Sequence, residues 1–543
     1  MIKTLPQLFL GLTLLFAGSS AHQALAQGPV KQWDKTYGGT LEDRPLAVVL
    51  TPDGGSIIGG QSYSDAGGDK TQSSTDTDYW ILRLDASGNK IWDRTFGTFG
   101  NDMFTTLEAT ADGGFLLGGT TNTAVSGDKT QAGPGGTDFW VIKLDANGTK
   151  LWDRVYGSTG PDALTAMVRT PDGGFLLGGT SGAGVSGNKT QPGKGDNDYW
   201  VIKIDAAGNK LWDQVYGGTF YDNLSTMVAT QDGGAILAGT SGSVLGADKT
   251  EANQGGSDYW VVKIDAAGTK QWDRTLGGTD DDQATGIRQA LDGGYIVAGS
   301  SISGQGGNKT QPSRGGRDMW LIKLNANGTK QWDRTFGGIA TEEPASVVAT
   351  NDGGFLAAGY SNSNISGDKT QNIIGLSDVW MIKIDANGIK QWDRTMGGTK
   401  LDYLLTFQAM QVAPDGSLLL AVFSESNSGF DKTQSSKGLQ DYWIIKLGNV
   451  TTATAAPVAG QVLQAYPNPA TRQLTVRLGN GAPRTNLRLS LLDATGRTVY
   501  SQRVTATGEA EVPLTLREHP AGLYLLRLEG PEGYVATQRL QLN

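Results

Sequence analysis

Apolar residues along most of this chain fall in short alternating runs separated by Gly-bearing turns, a period of two rather than the three-to-four spacing of a helix. In the stretch after Trp152, Leu164 to Thr170 predicts a strand, Pro171 to Gly174 a tight turn and Phe175 to Thr180 a second strand. Asp198 to Asp205 then alternates aromatic and aliphatic residues as a third strand, Ala206 to Asn209 turns, and Lys210 to Tyr216 makes a fourth. Few polar side chains interrupt these strands, which suits sheets buried on both faces.

This unit recurs. A Trp-Asp pair stands at Trp33, Trp92, Trp152, Trp212, Trp272, Trp332 and Trp392, spaced by 59 and then five times by 60 residues. A second series, Trp80, Trp140, Trp200, Trp260, Trp320, Trp380 and Trp443, uses up the remainder of the 14 Trp. Between them recur an Asp-Gly turn (Asp53, Asp112, Asp172, Asp232, Asp292, Asp352, Asp415) and a Lys-Thr pair beginning at Lys70, Lys129, Lys189, Lys249, Lys309, Lys369 and Lys432. Four markers occurring seven times each predict an all-β chain whose residues 27–450 form a seven-bladed β-propeller, with Trp filling the contacts between blades. The chain enters the repeats on a fourth-type strand (Lys31 to Tyr37) and leaves them on a third-type strand (Asp441 to Leu447). Pairing the two closes the ring and removes exposed edges. Blade seven has a three-residue insertion before Asp415 and Ser417 where the others have Gly, an irregularity expected at a closure. The motif resembles the Trp-bearing repeats of bacterial β-propellers, including the Asp-x-x-Gly turn of quinoprotein propellers. That resemblance is to the blade and implies no cofactor site.

Composition then narrows the chemistry. Of 543 residues 79 are Gly, without the three-residue period of collagen. There is no Cys, and the two His are His22 and His519, so thiolate nucleophiles, Ser-His-Asp triads and ordinary zinc sites are excluded from the main body. Lys3, the apolar run Leu8 to Ala17 and the small-x-small site Ala24-Leu25-Ala26 read as a secretory signal over residues 1–26, cleaved before Gln27. Its apolar run is about half of what a membrane span needs, so the mature chain is expected to carry no transmembrane segment. The formal charge of −9 argues against nucleic acid, which calls for a clustered basic face.

Beyond a linker at 451–463 the composition breaks: residues 451–543 hold nine Arg and no Lys. Alternating Leu474-Val476-Leu478 and Leu487-Leu489-Leu491, a turn at Asp493 to Gly496 and a closing hairpin about Glu529 to Gly533 predict a small Ig-like β-sandwich over 464–543. Tyr466-Pro467-Asn468-Pro469, Asp493-Ala494-Thr495-Gly496-Arg497, Pro520-Ala521-Gly522-Leu523-Tyr524 and the terminal Gln538-Arg539-Leu540-Gln541-Leu542 follow in order. This tail resembles the C-terminal sorting domain (type A) of the type IX secretion system of Gram-negative bacteria, with His519 and Gln541 as departures from the common pattern. Tyr466, Pro467, Asn468, Pro469, Gly496, Gly522, Tyr524 and Arg539 carry the resemblance. It implies the type IX machinery as partner, passage through the periplasm, and delivery to the outer-membrane surface or the exterior.

Two kinds of candidate site remain on the repeats. In an up-and-down blade the tight turns share one face, and the longer loops, of about 17 and about 7 residues, share the other, where ligands are usually met. The Asp/Asn-Lys-Thr-Gln/Glu motif of the long loop is either a multivalent glycan reader or, as preferred here, a means of satisfying that loop's own backbone. Ten residues after each first-series Trp stands an acid: Asp43, Asp102, Asp162, Asp222, Asp282, Glu342 and Asp402. If the following strand is innermost, these seven ring the channel mouth and could take Ca²⁺ through oxygen ligands; the alternative is that each caps a turn between blades. No other cofactor is expected. A sevenfold series does not separate an acid from a nucleophile. The sequence therefore reads as an exported, monomeric, non-catalytic binding or adhesion protein for an extracellular glycan or protein, the alternative being a carboxylate-based polysaccharide hydrolase or lyase.

Overall fold

The computed structural model describes residues 28–122 and 124–451 and, in the tail, 463–466, 473–478, 487–493, 497–504, 510–516, 520, 522–529 and 535–542. Contacts divide the chain into a unit Gln27–Thr454 and a second built from Ala455 onward. The signal residues Ala24 and Ala26, and Pro467, Asn468, Pro469 and Gly496 of the sorting motifs, lie outside the described residues.

Among the described residues the first unit contains no helix and seven antiparallel sheets. After β1 (Lys31–Tyr37), the strands β2 (Asp43–Leu50), β3 (Ser56–Ser62), β4 (Asp78–Leu84) and β5 (Lys90–Phe96) pair in chain order as one sheet. Five more sheets repeat this meander. The last consists of Asp402–Tyr403, Met410–Val412, Ser417–Ser424 and Asp441–Asn449, and β1 completes it from the other end of the unit, Lys31 opposite Leu447 through Tyr37 opposite Tyr442. The first strand of each sheet packs on that of the next, Glu342–Ala349 packs on Met410–Val412, and β2 packs on Ser417–Ser424, so the contacts close a circle.

The repeat markers explain this packing. Every second-series Trp is buried on the third strand. Five of the seven meet an aromatic residue of the neighbouring sheet, as Tyr79 with Trp140 at 5.2 Å between ring centroids, Tyr199 with Trp260 at 4.9 Å, and Tyr442 with Trp80 at 4.8 Å across the closure, while Trp380 and Trp443 share their clusters with Met319 and Val379. Such tilted pairs add about 0.5–1.5 kcal/mol each beyond the area they bury. In five blades the Asp-Gly turn is tied to the Lys three residues after that Trp, as Lys143 to Asp112 at 2.9 Å and Lys263 to Asp232 at 2.7 Å, and in the first Arg83 takes this place beside Asp53. Gly113, at φ +81°, takes the left-handed conformation that such a turn requires.

The second unit has two sheets, one of Leu463–Tyr466, Gln473–Leu478 and Ala510–Thr515, the other of Thr498–Val504, Leu487–Leu492, Gly522–Glu529 and Val535–Leu542. Alternate residues such as Leu474, Val476, Leu489, Leu491, Leu526 and Leu540 share one apolar core.

Candidate functional site

The Asp of each Trp-Asp pair, to which the sequence reading gave no role, is the hub of its blade. Asp273 accepts the Thr250 N–H and hydroxyl, both at 2.9 Å, the Trp260 indole N–H at 3.1 Å and the Lys270 ammonium at 2.8 Å. The same set recurs at Asp153, Asp213 and Asp393, and at Asp34 it crosses the closure to Thr433 and Trp443. Burial pushes the Asp273 carboxyl up, but these donors outweigh it and hold it below the ordinary carboxylate range. The Lys-Thr motif is thereby explained as architecture. Its Thr feeds the hub and its Lys is buried, Lys249 donating to the Ser241 hydroxyl at 3.1 Å and to Asn253 Oδ1 at 2.6 Å. The constant 13-residue step from Trp to Asp was the signal that could have revealed this.

The seven acids of the candidate cation ring are fully buried, one to a blade. Each accepts the N–H four residues before it: Gly39 to Asp43, Thr98 to Asp102, Ser158 to Asp162, Gly218 to Asp222, Gly278 to Asp282, Gly338 to Glu342 and Gly398 to Asp402, at 2.6–2.8 Å. Hydroxyls of Ser64, Ser243, Ser303 and Ser426 add to four of them. This is the turn-capping arrangement that the sequence left open beside a cation ring. The following strand does line the channel, but the carboxylates turn into the loop connecting the blades because its N–H groups need acceptors. Among the described residues no three of His, Cys, Asp and Glu gather where they could hold a metal.

A second acid, missed by the sequence reading, opens each third strand. Asp258 and Asp318 accept the Gln254 and Arg314 N–H groups at 2.5 Å, while the other carboxylate oxygen has no partner. Burial pushes Asp258 up to about 6, and the charge of Asp282 on the next blade adds to it against Lys249. Gly277 sits so close that a Cβ there would lie 2.0 Å from Asp258 Oδ1.

What lines the channel on the long-loop side is a tier of hydroxyls, Thr105, Thr165, Ser225 and Thr285, with Tyr360 and Tyr403, around a cavity of about 450 Å³. Tyr360 and Tyr403 lie 5.3 Å apart, and Phe99, Phe220 and Ile339 project from the loops of this face, exposed. The channel is not open from end to end. Where the other blades have an eight-residue first strand, blade seven has only Asp402–Tyr403 and Met410–Val412, and the chain between them places Phe407 in the axis. The Phe407 carbonyl accepts the Ser346 hydroxyl at 2.6 Å, and Gln408 Oε1 accepts the Leu107 N–H at 3.1 Å. The insertion before Asp415 supplies the length for this plug.

In the tail, Tyr524 is buried and its hydroxyl donates to the Pro520 carbonyl at 2.9 Å. Arg497 closes the Asp493 turn through its N–H and Nε, both at 3.1 Å from the Asp493 carboxylate. Tyr466, Gly522 and Arg539 fall on the strands Leu463–Tyr466, Gly522–Glu529 and Val535–Leu542. Residues 464–543 match the family model of the secretion system C-terminal sorting domain. The chain carries a type IX sorting tail. A chain with this tail is exported to the cell surface or the extracellular space. Among the described residues no helix is long and apolar enough to cross a membrane.

The repeat region has more distant likenesses. The regulatory protein FlaEY of Caulobacter vibrioides is 23% identical over 397 residues, covering 67% of this chain; the chain spans about 40% of that relative's length. The Pan2 WD40 domain of Neurospora crassa is similar at 10% identity and a TM-score of 0.42, covering 75% of this chain and 90% of that one. BBS1N, from its complex with ARL6DN, is similar at 9% identity and a TM-score of 0.42, covering 79% and 99%. Likenesses at this level do not bear on function, and the propeller stands on its own strand pairing.

Proposed function

We propose that this chain is a surface-delivered, non-catalytic binding or adhesion protein, a monomer whose seven-bladed propeller meets a glycan or protein ligand through its long-loop face while an Ig-like sorting sandwich engages the type IX machinery. The observation that carries the reading is the chemistry of that face: exposed Phe99, Phe220 and Ile339 around a channel mouth tiered with Thr105, Thr165, Ser225 and Thr285 and flanked by Tyr360 and Tyr403. Aromatic faces with nearby hydroxyls suit sugar rings or a protein surface. The repeated acids that a hydrolase would need are buried and committed to backbone turns, which supports binding over turnover.

A glycan array and a polysaccharide-degradation screen on the mature chain test this. The expected result is saturable binding without turnover, weakened about tenfold or more by Tyr403→Ala. Turnover abolished by replacing one blade's carboxylates would overturn the reading.

A further inference from the structure

In a ring of near-copies, the place where the copies differ marks what only one ligand needs. The seventh position of the first strand is Val49, Val168, Val228 and Val348 in four blades, but Glu108 in the second and Arg288 in the fifth. The next position is Ala in three blades and Arg169 in the third. In blade seven the broken strand brings Gln408 and Gln411 to the same level. All five departures line one cavity of about 530 Å³ at the tight-turn end of the channel, floored by Phe407 and walled by valine and methionine.

The charges there act on one another without forming an ion pair among the described residues. Arg288 is fixed by its own contacts, Nη2 donating to the Phe407 carbonyl at 3.4 Å and the guanidinium lying 5.1 Å from the Phe407 ring centroid. Arg169 is exposed, and among the described residues neither arginine is ion-paired with Glu108, whose carboxylate meets the Gln408 amide at 3.5 Å. Burial pushes the Glu108 carboxyl up to about 8, against the pull of Arg288 and Arg169, so at neutral pH it mostly keeps its proton and offers a hydroxyl. Two planar guanidinium forks in an apolar-walled cavity call for an anion with two oxygens. A neutral carboxyl and two amides beside them call for hydroxyl groups.

We propose that the tight-turn end of the channel is a binding site for a small polyhydroxylated carboxylate of the uronic acid class, Arg169 and Arg288 taking the carboxylate and Glu108, Gln408 and Gln411 the hydroxyls. The volume suits one or two sugar rings. This site is separated by Phe407 from the long-loop face and is independent of the ligand bound there.

The test is calorimetric titration of the full mature chain with glucuronate and galacturonate, with glucose and inorganic sulfate as comparators. One-to-one saturable binding of a uronate is expected, at least tenfold tighter than glucose or sulfate. Arg169→Ala, at an exposed position, is expected to weaken it about tenfold while the melting temperature stays within a few degrees of the parent, and Arg288→Lys similarly. Tyr403→Ala, at the opposite mouth, is expected to leave uronate binding intact, which separates this proposal from the loop-face reading. Absence of uronate binding at millimolar concentration, equal binding of glucose or of sulfate, or indifference to Arg169→Ala would overturn it.

Discussion

Asp258 and Asp273 lie in the same blade, on adjacent strands, and both are buried. Yet one carboxyl is pushed up to about 6 and the other is held below its ordinary value. Desolvation acts on both. Asp273 answers it with an ammonium, an indole N–H and both donors of Thr250, whereas Asp258 has a backbone N–H, an unpartnered second oxygen and a like charge across the blade junction. Burial alone therefore does not set a carboxylate's state; the number and sign of its partners do. The hub is a device of stability within each blade. The junction belt of acids and the lysines beside them is a place where repeat symmetry forces like charges together.

The largest effect that would break this contrast comes from removing each carboxylate in turn. Asp273→Ala strands the Trp260 and Thr250 N–H groups and leaves Lys270 uncompensated, and is expected to cost about 3 kcal/mol or more in a chemical denaturation series. Asp258→Asn keeps the shape and the acceptor for Gln254 while deleting the like charge, and is expected to stay within about 1 kcal/mol of the parent at pH 7.5. Equal losses in the two variants would show that partner count is not what distinguishes them.

A smaller effect follows from pH. Asp78, Asp138, Asp258, Asp318, Asp378 and Asp441 titrate near 6 in the fold against 3.8 when unfolded, so the native state binds protons more tightly than the unfolded one. Their contribution is full below the unfolded value and is lost as pH rises through about 6. Glu108, near 8, acts with the same sign. The belt lysines Lys70, Lys249, Lys309, Lys369 and Lys432, lowered to about 8, change little below pH 7. The hub aspartates have the opposite sign and lose their contribution only as pH falls below the usual carboxylate range. Thermal melts are therefore expected to give a melting temperature a few degrees higher at pH 5.5 than at 7.5, with a fall below about pH 4. A melting temperature that rises steadily from pH 5.5 to 7.5 would contradict the belt's direction.

Much of this molecule was legible because a repeat prints its own contacts. Lys210–Tyr216 is a strand over the residues its alternation predicts, and the Trp series foretells the packing from one sheet to the next, aromatic at five junctions and with Met319 or Val379 at the other two. The junction acids were visible as a constant register, but not which way they turn, because direction is decided by the N–H groups of the loop four residues back rather than by spacing. Asp273 was overlooked because its donors come from three separate places in the chain. Phe407 was unreadable for the same reason that it matters: an insertion carries no periodicity, and its place in the channel is set by Ser346, Arg288 and Leu107 from other blades.

The smallest expected effect concerns divalent cations at the junction belt. Calcium takes six to eight oxygen ligands. Each junction offers two carboxylates, such as Asp258 and Asp282, one oxygen of each already accepting a backbone N–H, with the Lys249 ammonium beside them. A cation entering there displaces the ammonium's favourable charge and finds too few free oxygens, so its net gain is slight. Chelation followed by millimolar Ca²⁺ is accordingly expected to leave the melting temperature within about 1 °C, since a ligand specific to the native state stabilises by RT ln(1 + [L]/Kd). A saturable rise with Ca²⁺, lost in Asp282→Asn, would instead mean that the unpartnered oxygens of the belt face a common cation, and the contrast with the hub would then be one between two kinds of counter-ion.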